Sequence, residues 1–237
     1  MPNPLRIAIA QINAIVGDLE GNARRIADAI QQAKDSSADL VLLPEMAITG
    51  YPPEDLLLKP GFVANAQVAL EDVARECQGV VAVVGTVMRC LHLGDDLYNA
   101  AAILAGGQVR TAYYKMHLPN YAVFDEARYF RAGRRPLVIA IGHSRVGITV
   151  CEDIWYGSGP AEDAALAGAE LVVNISASPY HMGKPAERER MLRTRATDNL
   201  AAVAFCNLVG GQDELVFDGS SLLIGPDGEV LTRAHQF

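Results

Sequence analysis

Three residues able to do chemistry each stand where an extended apolar run gives out: Cys151 in RVGITVCEDIWYG, Glu45 in LVLLPEMAITGY and Lys115 in TAYYKMHLPNY. A free thiol has a pKa of about 8.5, so at neutral pH it needs a base or a cationic neighbour before it reacts as thiolate. A desolvated glutamate holds a proton more tightly and can take the one on sulfur. A lysine ammonium stabilises both the thiolate and the oxyanion formed when sulfur adds to a carbonyl. The backbone N–H of Glu152, next after the cysteine, is a natural second oxyanion donor. Taken singly, each residue has a bland reading: a capping acid, a solvated lysine, a small core hydrophobe. Together they supply base, nucleophile and electrophilic stabiliser for attack on an amide carbon through sulfur.

Other chemistries fit less well. A Cys–His pair would have to draw on His92, His117, His143, His181 or His235, and only His117, beside Lys115, lies in a segment expected to face the site. No HxH or HExxH spacing suggests a metal-dependent amidohydrolase, and the scattered cysteines form no CxxC pair, so no metal is expected. Cys77, Cys90 and Cys206 read as core.

The elements that must hold these residues alternate between two periodicities. LRIAIAQI reads as a strand, and GNARRIADAIQQAKDSS as an amphipathic helix with Ile26 and Ile30 one turn apart. DLVLLPE is a buried strand, residues 61–78 a helix, and GVVAVVGTVMR a strand. YNAAAILAGGQVRTAYYK forms a hairpin turning at Gly106 and Gly107. PLVIAIG and SRVGITVC are strands, PAEDAALAGAE a short helix and ELVVNIS another strand. A long helix starts at Pro185. AVAFCNLVG, a loop GGQDELVFDG and a terminal hairpin SLLIGPDGEVLTR complete the chain. The pattern predicts an α/β fold with two packed sheets and outer helices. Residues 1–237 are expected to form one domain, and the stop at Phe237 just after a hairpin suggests truncation at the C-terminus.

Composition narrows the setting. The net charge of −8 argues against a nucleic-acid surface, and ERERMLRTRATD mixes both signs as an exposed helix face would. MPNPLRIAIAQI does not read as a signal peptide, so none is expected, and no apolar run approaches the roughly 20 residues that span a bilayer. Four cysteines in 237 residues fit a reduced compartment, so a cytoplasmic location is expected, with no membrane partner.

LPEMAITGY around Glu45, KMHLPNY around Lys115 and CEDIW around Cys151 resemble the nitrilase superfamily of Glu-Lys-Cys carbon–nitrogen hydrolases, and the likeness runs from AIAQINAIVGDLEGN to SLLIGPDGEVL. More narrowly, TGYPPEDLLLKPGF, LPNYAVFDEARYF, NISASPYHMGK and NLVGGQDELVFDGSS resemble the glutaminase domains of glutamine-dependent NAD synthetases. The resemblance implies an α-β-β-α sandwich in which Glu45 is general base, Lys115 holds the oxyanion and Cys151 is the nucleophile. It implies glutamine contacts at Tyr121, Ser178 and Lys184; without it these would read as a packed aromatic, a turn residue and a solvated lysine. Glu126 matches a further acid supporting the lysine, its alternative being a loop carboxylate paired with Arg128 or Arg131. Asp153 and Trp155 are expected to wall the nucleophile, with ordinary core burial the alternative for Trp155. In that family ammonia passes to a C-terminal synthetase domain, marked by SGGxDS, which uses ATP, Mg and deamido-NAD. This sequence has no SGGxDS, so those cofactors are expected only in that absent domain, and none here. Assembly as a homo-oligomer is also expected. Two further readings remain: a free-standing amidase on another small ω-amide, nitrile or carbamoyl compound, and a catalytically silent assembly domain.

Overall fold

A computed structural model of the chain describes residues 4–90, without the side chain of Cys90, and residues 96–237. The reading of Cys90 as core, and His92, lie outside the described residues.

The first sheet has five strands in chain order: β1 (Ile7–Ile9), β2 (Leu40–Leu42), β3 (Val81–Cys90), β4 (Asp96–Ala105) and β5 (Gln108–Tyr114). β1, β2 and β3 are parallel; β4 and β5 follow as antiparallel hairpin partners. The second sheet has six, ordered β13 (Val230–Arg233), β12 (Leu222–Ile224), β9 (Ala202–Asn207), β8 (Leu171–Ser176), β7 (Ser144–Val150) and β6 (Leu137–Ile141). Its centre, β7-β8-β9, is parallel.

Alternation along the strands sorts the side chains into layers, because successive residues point to opposite faces. Leu40 and Leu42 of β2 and Val83 of β3 meet Ile148, Val150, Val173, Ile175 and Ala204 of the second sheet. Val41, Ala82 and Val84 face the other way, onto Ile26 and Ile30 of helix α1 (Leu19–Asp35) and Leu70 and Val73 of α2 (Phe62–Glu76). On the far side, Val172, Val203 and Phe205 pack under Ala161 of α3 (Pro160–Leu166) and Leu192 and Ala196 of α4 (Lys184–Asn199). The architecture is an α-β-β-α sandwich. α1 begins at Asp18, whose carboxylate accepts the Gly21 N–H at 2.9 Å, and its Ile26–Ile30 stripe is buried as the spacing predicts.

Four sequence readings differ from the structure. GGQDELVFDG is not a loop but a hairpin, β10 (Val209–Gln212) and β11 (Leu215–Asp218). Its glycines and acids mask a short alternation in which Leu215 and Phe217 are buried while Val216 is exposed. ERERMLRTRATD is not wholly an exposed face: Arg188 is buried and forms a bidentate pair with Asp218 at 3.1 and 2.7 Å. Only a partner 30 residues away distinguishes it from its solvated neighbours. The opening strand pairs only through Ile7–Ile9, and α4 starts at Lys184 with Pro185 in its first turn.

Candidate active site

The carboxyl ends of the parallel strands are where an α/β sheet presents side chains to a ligand. Glu45 follows β2, Cys151 follows β7, Ser178 follows β8 and Asn207 closes β9. β5 is antiparallel to β4 and therefore parallel to β3, so Lys115, one residue beyond it, leaves in the same sense.

Glu45 reaches its place because β3 allows a close backbone approach. A Cβ on Gly85 would stand 2.1 Å from the Pro44 carbonyl oxygen and 2.5 Å from Glu45 Cα. The Glu45 carboxylate is fully buried. Its Oε1 accepts hydrogen bonds from Lys115 Nζ and Asn99 Nδ2, both at 2.7 Å, and its Oε2 accepts the Ala177 N–H at 2.8 Å. Lys115 Nζ also donates to Glu126 Oε1 at 2.8 Å. Glu126 in turn accepts from the Tyr51 hydroxyl at 3.1 Å and Asn99 Nδ2 at 3.2 Å. One ammonium thus lies between two buried carboxylates, bridged by one amide. Glu126 is not paired with Arg128, which reaches Asp55, nor with Arg131, which reaches Asp96.

These contacts set the electrostatics. Burial works against the Lys115 ammonium, but Glu126 and Glu45 more than offset it and hold its pKa well above the usual lysine value. Burial pushes the Glu126 carboxyl up, against the pull of Lys115. Burial also drives the Cys151 thiol well up; Glu45 adds to this and Lys115 opposes it. The thiol therefore stays protonated until a base takes its proton. Cys151 itself has a left-handed backbone, φ +45°, at the abrupt step from β7 into a single 3-10 turn. Non-glycine residues adopt that conformation only when their surroundings fix it.

The remaining sequence candidates lie around this cluster. The Tyr121 hydroxyl donates to both oxygens of Glu152, at 3.0 Å, beside the cysteine. Ser178 is buried next to Ala177, whose N–H holds Glu45, and its own N–H donates to Asn207 Oδ1 at 2.9 Å. Lys184 Nζ sits 3.9 Å from the centroid of the half-buried Trp155 ring, four residues after Cys151. His117 does come near, but its Nδ1 faces Asp153 at 3.5 Å and its ring stacks on Tyr156. A cavity of about 160 Å³, lined among others by Met46, Tyr51, Phe124 and Glu126, reaches the wall of the Lys115–Glu126 pair. Sequence reasoning missed Asn99, Tyr51 and Asn207. Only Asn99 left a trace, as a lone amide at the head of the apolar run AAAILA.

A sandwich of this kind, with a buried thiol and a buried carboxylate–ammonium pair at its strand ends, is the framework of a hydrolase acting on carbon–nitrogen bonds. Residues 6–237 match the Carbon-nitrogen hydrolase family, and the chain belongs to it. It is 45% identical over 233 residues to the glutamine-dependent NAD(+) synthetase of Aquifex aeolicus, covering 98% of this chain and 41% of that protein. It is 48% identical to the same-named protein of Xylella fastidiosa, covering 98% and 43%. The chain thus spans about two-fifths of the curated relatives it matches. Among solved structures, the glutamine-dependent NAD+ synthetase of Acinetobacter baumannii superposes with a TM-score of 0.94 at 35% identity, over 98% of this chain and 44% of that one. An amidase from Nesterenkonia sp. gives 0.86 at 28% identity, over 98% and 87%. Among the described residues no helix is long and apolar enough to cross a membrane.

Proposed function

We propose that the chain hydrolyses the side-chain amide of glutamine through a thioester on Cys151. The ammonia released would serve ATP-dependent amidation of deamido-NAD by the part of the relatives that this chain does not span. The observation that carries the reading is the buried Glu45–Lys115 pair, 2.7 Å apart, at the strand ends where Cys151 also emerges.

Glu45 takes the thiol proton as sulfur adds to the amide carbon. The oxyanion is held by the Lys115 ammonium and the Glu152 N–H. Glu45 returns the proton to the departing nitrogen, ammonia leaves, and a γ-glutamyl thioester remains. Glu45 then removes a proton from water, whose oxygen adds to the thioester carbonyl. The thiolate departs, regains its proton from Glu45, and glutamate is released. Tyr121, Ser178 and Lys184 bind the α-amino and α-carboxylate groups, which distinguish glutamine from a simple amide. Glu126 keeps Lys115 charged and in place. The relatives' shared name supports glutamine as substrate, and this domain would act in a cytoplasmic homo-oligomer with the synthetase domain attached.

The coverage of 87% of the Nesterenkonia amidase favours a second reading, a free-standing amidase on another small amide. Incubation with glutamine and with a panel of short aliphatic amides separates the two. The proposal expects ammonia from glutamine in preference to the others, and a thioester adduct in the intact mass. Turnover of glutamine by Cys151→Ala would refute the nucleophile assignment; preference for simple amides would favour the second reading.

A further inference from the structure

Cys151 is strained and cannot fix itself. Asn174 Nδ2 donates to its carbonyl at 3.3 Å, and the turn that carries it is tied down by the carboxylate of Asp153, which is fully buried. Asp153 Oδ2 accepts the Val150 N–H at 3.0 Å, closing the turn across the cysteine, and the Tyr113 hydroxyl at 2.8 Å. Asp153 Oδ1 accepts the N–H of Met116 at 3.1 Å and of His117 at 2.8 Å. Tyr113 shares a face of β5 with the direction of Lys115, two residues on, and Met116 and His117 follow that lysine directly. Every donor to Asp153 is therefore within two residues of either the thiol or the ammonium, and Oδ2 alone joins the two sheets, taking Val150 of β7 and Tyr113 of β5.

We infer that Asp153 is a positioning residue for the reaction: it ties the Cys151 turn to the segment carrying Lys115, and so sets where sulfur stands relative to the ammonium. This rests on the proposed roles of Cys151 and Lys115, but not on the identity of the substrate. Buried Asp153 is out of reach of a ligand itself. It acts through geometry, and geometry of this kind matters because a misplacement near 1 Å costs about a hundredfold in rate. The structure also explains why an amide cannot replace it. An asparagine has one oxygen; if that oxygen keeps Met116 and His117, its NH2 meets the Val150 N–H, and if it turns, it meets the other two. One tether is lost either way.

The test uses two variants, Asp153→Asn and Tyr113→Phe, and two rates. One is alkylation of Cys151 by iodoacetamide, read by peptide mass across pH, which requires no turnover. The other is glutamine hydrolysis, resolved into kcat and KM. D153N is expected to lower the alkylation rate and kcat together by roughly ten- to a hundredfold, with KM within about threefold of the parent. Y113F should lower both by a smaller factor. The inference is overturned if D153N is folded and both rates stay within about twofold, if its whole loss lies in KM, or if only its melting temperature falls. Should D153N not fold, Y113F decides: unchanged rates refute the inference, and a parallel loss sustains it. If the unmutated chain does not hydrolyse glutamine, the substrate proposal fails while the alkylation arm still tests Asp153.

Discussion

Replacing Lys115 by methionine keeps an unbranched side chain, shorter by the terminal nitrogen, and removes its charge, leaving Glu45 and Glu126 buried without a cation. Coulomb's law at an effective dielectric of about 20 gives roughly 6 kcal/mol for unit charges at the 2.7 Å separation of Lys115 and Glu45. Much of that only offsets the cost of desolvating the groups, and breaking a buried pair from one side costs about 3–5 kcal/mol. K115M is therefore expected to lose about 3–5 kcal/mol of stability at neutral pH, along with all hydrolysis.

The loss should depend on pH. Lys115 has a raised folded pKa, so its stabilisation is fully present below the unfolded value and fades only as pH climbs through the folded one, in strongly alkaline solution. Glu126 also has a raised pKa, and for a carboxyl this means stability is lost as pH rises through the folded value. Lys115 opposes that rise, so its removal pushes Glu126 up further, and protons can replace the missing ammonium in mild acid. Urea unfolding of parent and variant at about pH 7.5 and about pH 5 should show the deficit shrinking by at least about 1 kcal/mol, the equivalent of roughly one pKa unit. A deficit equal at both values would mean that the two carboxylates do not feel Lys115 as the geometry requires.

Gly85→Ala should damage the site from a position that touches no ligand. Its methyl would meet Pro44, Glu45 and Met46 backbone atoms, so the folded variant should lose at least about tenfold in kcat, and normal kinetics would show that the Glu45 segment can move away. Arg188→Ala strands a buried Asp218 and should cost about 3–5 kcal/mol, whereas Arg188→Met with Asp218→Leu should recover most of it in urea melts. Equal losses in the single and double variants would show that packing of α4, not the charge pair, is at stake. Tyr121→Phe removes the donor to Glu152 while keeping the ring on Phe124; KM for glutamine should rise about threefold or more with kcat little changed. A fall in kcat alone would place Tyr121 in the chemistry instead.

What the sequence displayed of this site follows from the range over which sequence patterns operate. Glu45 and Cys151 each follow a visibly apolar strand and Lys115 follows the second arm of a hairpin, and a strand end is where a side chain leaves the packed sheet for a cleft. The two-sheet sandwich was equally legible, because β2, β3, β8 and β9 are apolar on both faces and must be covered twice. The groups that organise the site were not. Asn99 is 54 residues from Glu45, Tyr51 is 75 from Glu126, and Tyr113 is 40 from Asp153. No local spacing announces such pairs, and Arg188 shows the same blindness in reverse, a buried cation hidden in a run of solvated charge.

The cluster around Lys115 nonetheless carries its own argument for function. A buried ammonium between two carboxylates is poor structural engineering, since apolar side chains of similar volume would fill the space as stably or more so. Here the arrangement keeps a cation charged in a place where burial favours neutrality, beside a thiol that burial keeps protonated. A fold seeking stability alone has no use for that combination. The sulfur attack proposed for Cys151 would use both halves of it: a proton that moves only when the substrate is in place, and a positive charge already waiting where the oxyanion would form.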